Sequence, residues 1–272
     1  MPLFNELQNL MIKYRFKPNK KLAQFFIIDD EFLEQLITGA KLTPDDVVLE
    51  IGAGTGFLTK KILEKCSVIS YELDDNLCRL LETEITDKKL NLQKGNFLDS
   101  KIPKFTKIIS LPPYTISSKI MYKILPLNFS EAFLVFQKEF IDKLTAHEGY
   151  MEYNALSVLT QYYTEPEILK TLSNESFFPK PKTHSAVIKL TKKKRFGTVK
   201  NEVLFEKFMK SLFRFQNKNL GNAMMNVFPF IEKDLGLTKA KFKKKIDSLE
   251  LNEEKVNKIS VKKFVETFNS LF

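Results

Sequence analysis

Two short stretches carry residue types that could do chemistry. The first is Glu50-Ile51-Gly52-Ala53-Gly54-Thr55-Gly56. Glycines let a backbone take positive φ and approach a ligand closely. A dinucleotide site spaces them G-x-G-x-x-G, which seats a pyrophosphate on a helix N-terminus. Here the third glycine comes one residue early, giving E-x-G-x-G-x-G. That form suits a ligand without a pyrophosphate and is the pattern of S-adenosylmethionine sites. Glu72, further along the chain, stands where a carboxylate can take both hydroxyls of a ribose. The second stretch is Leu111-Pro112-Pro113-Tyr114, followed by Thr115-Ile116-Ser117-Ser118. A rigid proline pair presents backbone carbonyls in a fixed extended geometry, and an adjacent aromatic can stack on a flipped-out base. This combination fits methylation of an exocyclic base amine, whose lone pair is delocalised into the ring. Acceptors that hold the amine's protons as its nitrogen becomes tetrahedral stabilise the transition state.

Both stretches need a scaffold, and the hydrophobic pattern predicts one. Residues 47–54 form a β-branched and aliphatic run ending in glycines, which reads as a buried strand entering a tight turn. Residues 57–66 repeat their apolar positions at helical spacing. Further strands are expected at 68–74, 90–97 and 106–114, with a second helix at 76–85. Residues 130–140 read as a strand running into a helix. Strands alternating with helices imply a mostly parallel sheet covered on both faces. Residues 156–172 and 184–193 are expected to close the same sheet. Before this, Leu3, Leu7, Leu10, Met11 and Tyr14 fall at helical spacing and predict a short amphipathic helix. Beyond residue 195 the pattern is helical throughout. The expected domains are therefore 1–195, with 1–40 as a helical lid segment, and 196–272.

The chain has 272 residues, 43% of them apolar, and a formal net charge of +10. That apolar fraction excludes a disordered chain. Residues 191–272 hold 19 Lys/Arg against 9 Asp/Glu, while residues 1–190 hold 24 of each. A neutral body with a basic end-piece points to a polyanionic partner. Between residues 178 and 220, cations that include Lys180, Lys182, Lys193, Arg195, Arg214 and Lys218 face only Glu202 and Glu206, and phosphate contact is the reading we favour over a solvated helix face. Two cysteines, Cys66 and Cys78, are too few for a disulfide framework. No run approaches the ~20 apolar residues of a membrane span, and the start of the chain has no signal-peptide core. No metal site is expected, because His147 and His184 stand in no Cys/His cluster. A cytoplasmic, metal-free monomer is the expectation.

Several motifs in the same order resemble those of the rRNA adenine N6-dimethyltransferase family: the KsgA-type small-subunit enzymes and, more distantly, the Erm large-subunit enzymes. Lys20-Lys21-Leu22-Ala23-Gln24-Phe25-Phe26-Ile27 is similar to K-K-x-L-G-Q-x-F-L. Leu111 to Ser118 is similar to N-L-P-Y-x-I-S-S, and Phe136 to Phe140 to V-Q-K-E-F. Leu156-Ser157-Val158 with Gln161 resembles L-S-V-x-x-Q, and Phe177 to Lys182 with Ser185-Ala186-Val187 resembles F-x-P-x-P-K-V-x-S-A-V. Phe213-Arg214 with Asn217-Lys218 and Leu220 is similar to F-x-x-R-x-K-x-L.

The resemblance implies a Rossmann-like class I methyltransferase of α/β fold with a small all-helical C-terminal domain. The implied activity is transfer of methyl groups from S-adenosylmethionine to the N6 amine of adenine in small-subunit ribosomal RNA, dimethylating adjacent adenosines, in ribosome biogenesis. Gln24 and the backbone near Ile27 would enclose the cofactor. Glu50, Gly52, Gly54 and Gly56 would form its loop, Glu72 and Leu73 would hold the ribose side, and Asn96 and Phe97 the adenine. The amine would meet the Leu111-Pro112-Pro113 loop, with the base between Tyr114 and Phe177, and Phe178 as the second choice.

Three positions depart from the family. Its G-D-A is Gly95-Asn96-Phe97 here, and its L-G-Q is Leu22-Ala23-Gln24. Leu111 replaces an Asn whose side chain takes one amine proton, and Ser110 is the candidate substitute. The change leaves two readings: an enzyme relying on backbone carbonyls, or an rRNA-binding or assembly protein that keeps the fold without the activity.

Overall fold

The structure is a computed structural model that describes every residue except Met1, Arg195, Glu250 and Asn252. It resolves into two compact units: Met1–Lys123, Leu127–Ile141 and Glu167–Lys192 form one, and Ile124–Pro126, Asp142–Pro166 and Lys193–Phe272 the other. The expected single boundary near 195 is thus too simple, because the stretch from 142 to 166 belongs with the C-terminal unit.

In chain order the elements begin with α1 (Pro2–Lys13), β1 (Phe26–Ile27) and α2 (Asp30–Ala40). There follow β2 (Val47–Ile51), α3 (Phe57–Leu63), β3 (Ser67–Glu72), α4 (Asp75–Glu84), β4 (Leu90–Lys94), β5 (Lys107–Ser110), α5 (Ser117–Ile124), β6 (Glu131–Gln137) and α6 (Lys138–Thr145). Then come α7 (Ala155–Tyr163), β7 (Thr164–Leu172), β8 (Phe177–Phe178) and β9 (Ser185–Lys192). The last four helices are α8 (Glu202–Leu212), α9 (Leu220–Leu235), α10 (Lys239–Asp247) and α11 (Val261–Leu271).

The first unit is built on a sheet of order β4-β3-β2-β5-β6-β9-β7. Its first five strands run parallel, and β9 joins β6 antiparallel. Their residues are nearly all buried in β2, β3 and β6, which is why these segments read as continuous apolar runs rather than alternating ones. β2 has β3 on one side and β5 on the other. The order reverses there, and open α/β sheets hold ligands outside the carboxyl ends of the strands at such a reversal. β2 ends at Ile51, β3 at Glu72, β4 at Lys94 and β5 at Ser110, so both chemical motifs leave the sheet at that crevice.

One expected strand is half helix: residues 155–163 form α7, and only 164–172 form a strand. Its residues are buried on every side, so the apolar run carries no period that separates helix from strand. The signal that fixes it is a capping box, in which the Asn154 side chain accepts from the Leu156 N–H and the Ser157 hydroxyl accepts from the Asn154 N–H.

The second unit has an aromatic core. Phe205 lies 5.1 Å from both Tyr162 and Phe268, and Phe228 lies 5.3 Å from Phe242, measured between ring centroids. Such contacts explain why this Trp-free chain carries 25 Phe. No described helix is long and apolar enough to cross a membrane.

Candidate functional site

After β2 the chain turns sharply. The Gly52 and Ala53 N–H groups both donate to the Tyr71 carbonyl of β3 (2.8 and 3.1 Å), which fastens the turn to the neighbouring strand. Gly52 has φ +82°, and a Cβ there would stand 3.3 Å from Pro113 Cδ. Glycine is therefore what lets the proline loop come down beside the first motif. Gly56 has a different job. It sits at φ +80° before α3, and a Cβ would fall 2.8 Å from both Leu81 Cδ2 and Ile85 Cδ1. Its backbone conformation and these two side chains favour glycine there, and it does not line the cavity described below.

Glu50 also differs from the expectation. Its buried carboxylate accepts the hydroxyls of Thr59 and Ser70, both at 2.6 Å on Oε2. It ties β2 to α3 and β3 beneath the turn. Burial pushes its carboxyl up to about 7, against the pull of the Ser70 and Thr59 hydroxyls and with the Glu72 charge adding to the rise. A carboxyl titrating there, against 4.5 in an unfolded chain, favours the folded state while protonated. That advantage is complete below about pH 4.5 and gone once the pH passes about 7. Glu50→Gln carries no proton to lose. The variant's stability relative to the parent should therefore improve by about 2–3 kcal/mol between pH 5 and pH 8. Urea unfolding at the two pH values measures this, and parallel slopes for the two proteins would contradict it.

Glu72 closes β3. Its Oε1 accepts the N–H groups of Leu73 (2.8 Å) and Asp74 (2.9 Å), and its Oε2 accepts that of Gly54 (2.8 Å). Burial raises its pKa, opposed by those three backbone donors. A carboxylate offers about four acceptor positions. Three are occupied, which leaves room on Oε2 for a further donor.

Lys21 to Phe26 of the N-terminal segment also line the cavity described below. Gln24 accepts the Asn19 N–H on Oε1 (2.8 Å) and donates to Asp74 Oδ2 (3.0 Å), which links it to the residues after Glu72. Ile27 is buried and pairs with Phe177 across β1 and β8. Ala23, where the related pattern has glycine, adopts φ +49°. A left-handed alanine costs roughly 1–2 kcal/mol, and glycine returns part of that as unfolded-chain entropy. Ala23→Gly should raise unfolding stability by up to about 1 kcal/mol, and a variant no more stable than the parent would contradict the strain.

Asn96 caps the 3-10 turn Phe97–Asp99: its Oδ1 accepts the Leu98 N–H (3.0 Å) and its Nδ2 donates to Asp99 (2.6 Å). Phe97 is buried edge-on to Tyr71, with centroids 5.2 Å apart.

On the opposite side stands the proline loop. Ser110 cannot replace the missing Asn, because it is fully buried and its hydroxyl donates to the Ile51 carbonyl (2.7 Å) and accepts the Ile51 N–H (3.1 Å). The Ser110 expectation is thereby corrected. Leu111 is half-buried and faces the cavity. The Tyr114 hydroxyl bonds that of Ser185 at 2.7 Å, and burial pushes its pKa up to about 12. Its ring is stacked on Phe25, with centroids 5.7 Å apart and 24° between planes. Phe25 was not singled out from the sequence, because it occupies a variable position of its motif. Phe177 lines the cavity yet is only 2% exposed. Phe178 packs edge-on against Phe4.

A single cavity of about 220 Å³ brings together Gln24, Gly52, Gly54, Glu72, Leu73, Asn96, Phe97, Leu111 to Tyr114 and Phe177. One water needs ~10–15 Å³, so this is space for an organic ligand. Glu50 and Ile27 lie instead on a smaller recess that shares Gly52 and Gly54 with it.

The cations selected from the sequence are differently placed. Lys180 pairs with Glu175 and Lys193 with Glu165. Arg214 lies 4.9 Å over the Phe230 ring, and Lys218 6.0 Å from the Phe215 ring. Lys182 is exposed, and Arg195 lies outside the described residues. On α10, Lys239, Lys241, Lys243 and Lys244 are exposed and have no acidic partner among the described residues. Among those residues no group of three His, Cys, Asp or Glu side chains could hold a metal ion.

Residues 15–271 match the family model described as ribosomal RNA adenine dimethylase. The chain is similar to the ribosomal RNA small subunit methyltransferase A of Malacoplasma penetrans, at 36% identity over 230 residues, 83% of this chain and 84% of that one. A dimethyladenosine transferase from Plasmodium falciparum superposes with a TM-score of 0.76 at 25% identity, covering 89% of this chain and 95% of the other. The 23S rRNA methyltransferase ErmE shares the fold, with a TM-score of 0.64 at 23% identity over 90% and 99% of the two chains.

Proposed function

The chain belongs to the ribosomal RNA adenine dimethylase family, and from that premise we propose that it methylates the N6 amine of adenine in small-subunit ribosomal RNA, with S-adenosylmethionine as methyl donor. The observation that carries the reading is the shared cavity: the Gly52–Glu72–Phe97 side and the Leu111–Tyr114 loop line the same space. Bound there, S-adenosylmethionine supplies an electrophilic methyl carbon. The residues fit such a group, since Glu72 keeps one acceptor position on the cavity side and Leu73, Leu77 and Phe97 offer apolar surface to a purine.

The chain's own contribution is to hold the amine. Within the proline loop, the Pro113 carbonyl is taken by the Ile116 N–H and that of Tyr114 by the Ser117 hydroxyl. The Leu111 and Pro112 carbonyls remain as acceptors for the two amine protons, and hydrogen bonds to them strengthen as positive charge develops on nitrogen. Tyr114 supplies a face for the base. The first test incubates the chain with labelled S-adenosylmethionine and under-methylated small subunits, followed by nuclease digestion and mass spectrometry. Dimethyladenosine is the expected product. Salt-sensitive RNA binding with no methyladenine would favour the non-catalytic alternative.

RNA docking falls to the basic end-piece in a cytoplasmic monomer. Lysines already paired with carboxylates add little net field, whereas four exposed lysines of α10 have no acidic partner among the described residues. Binding should weaken linearly with log salt. The double variant Lys241→Gln/Lys244→Gln should reduce that slope by about 1–2, and an unchanged slope would remove α10 from the interface.

A further inference from the structure

Lys123 makes an unusual set of bonds near the end of α5. Its Nζ donates to three backbone carbonyls, those of Phe97 (2.5 Å), Leu98 (2.9 Å) and Ser100 (2.7 Å). An ammonium has three N–H donors, so all are used, and none goes to a carboxylate. The same nitrogen lies 4.8 Å from the centroid of the Phe97 ring. Burial lowers its pKa, opposed by the nearby Asp99 charge.

These carbonyls belong to the 3-10 turn that follows Asn96, and Asn96 and Phe97 line the cavity. The helix that bears Lys123 starts directly after Tyr114–Ile116, the turn of the proline loop. One side chain thus joins the two walls of the cavity. The turn already has local bonds of its own, from the Asp99 N–H to the Asn96 carbonyl (3.1 Å) and from the Ser100 hydroxyl to the same oxygen (2.9 Å). Phe97 is buried against Tyr71 and Asp99 is exposed, so the turn is anchored on one side without Lys123 and borders water on the other. The bond set is therefore placed to fix where the turn lies more than whether it forms.

We propose that Lys123 is a positioning residue for the cofactor, holding the Asn96–Phe97 wall at the distance from the proline loop that an adenine base requires. The inference rests on the reading of that wall as the adenine side of the cofactor site. Arginine is a poor replacement, because its planar fork cannot address three carbonyls converging on one point.

The test uses the full chain as wild type, Lys123→Met, Lys123→Arg and, as a control on the exposed face of the same helix, Lys119→Met. Steady-state kinetics and calorimetric binding of S-adenosylmethionine and of adenosine are measured. Lys123→Met should raise the KM for S-adenosylmethionine about tenfold, the loss expected for charge-assisted hydrogen bonds. Adenosine should weaken in proportion, while kcat and the KM for RNA stay within about twofold. Lys123→Arg should fall between, and Lys119→Met should match wild type. A lower melting temperature with unchanged KM for S-adenosylmethionine overturns the proposal, as does a fall in kcat alone. If wild type binds neither S-adenosylmethionine nor adenosine, the proposed function fails and this inference with it; wild-type binding matched by Lys123→Met removes the inference alone.

Discussion

Glu72→Gln is expected to weaken S-adenosylmethionine binding by roughly 10- to 100-fold, with the backbone fold retained. The reason lies in the donors around the carboxylate. Three N–H groups, of Gly54, Leu73 and Asp74, converge on its two oxygens within 2.9 Å. A carboxamide has only one oxygen. If that oxygen takes the Leu73 and Asp74 donors, the amide NH2 faces the Gly54 N–H, donor against donor; the flipped rotamer fails on the other side. The first rotamer loses the position left on Oε2 for a ligand hydroxyl, and the second keeps an oxygen there only by setting the NH2 against the Leu73 and Asp74 donors; both also lose the charge, and a hydrogen bond to a charged acceptor is worth about 1.5–3 kcal/mol. Glu72→Ala should be worse in kind as well as degree. It takes the acceptor from three N–H groups in part-buried bonds, so it is expected to lower stability as well as binding, by up to about 1–3 kcal/mol for each donor that water does not reach. Calorimetry on the Gln variant, with circular dichroism to verify its fold, decides the matter. A folded Gln variant that binds as tightly as the parent would exclude Glu72 from the ligand site.

Glu72 also illustrates what a sequence can and cannot say. Its place at the end of the second strand of the alternating pattern was readable from the apolar run before it and from the glycine motif upstream. The N–H groups it already serves were not, because two of them come from its own turn and the third from a different strand end. Glu50 shows the same limit more sharply. It belongs to the motif by sequence, but alternation along β2 turns its side chain inward to Thr59 and Ser70, so a motif letter became a structural brace. Gly56 likewise answers to Leu81 on α4 and Ile85 just after it, beyond the reach of any local pattern.

The helical unit was legible in its helices and illegible in its boundary. The helical pattern after residue 195 predicts helices there, and α8 to α11 are found among the described residues. Residues 142–166 join them through contacts such as the Tyr153 hydroxyl on the Ile259 carbonyl (2.9 Å) and the Tyr162 ring on Phe205. Those partners lie far apart in sequence, and an all-apolar run such as that of α7 offers no period by which to place it. The charge count had the same blind spot. It saw Lys180 and Lys193 as free cations, but Glu175 and Glu165 neutralise them, which shifts the weight of the basic surface to α10.

Leu111→Asn is expected to raise the methyl-transfer rate by on the order of 10²-fold. In the family pattern an Asn side chain accepts one proton of the target amine, and here the position holds an aliphatic chain of similar volume. Nothing beside it takes over: the Ser110 hydroxyl is spent on both backbone groups of Ile51, and the Pro113 and Tyr114 carbonyls are occupied. The wild-type site therefore meets the amine with the Leu111 and Pro112 backbone carbonyls alone, without the side-chain acceptor of the family pattern. Because Leu111 is only half-buried, at the edge of the core cluster, the polar replacement should cost little stability. The gain should appear in kcat under single-turnover conditions and leave the binding of S-adenosylmethionine unchanged, since the added acceptor acts where charge develops rather than on the bound ground state. Leu111→Ala separates chemistry from space: it opens the cavity without adding an acceptor, so it should bring no gain. A rate that rises equally in both variants would mean that the leucine obstructs the base, and a rate that rises in neither would mean that the Leu111 and Pro112 carbonyls suffice to hold both protons.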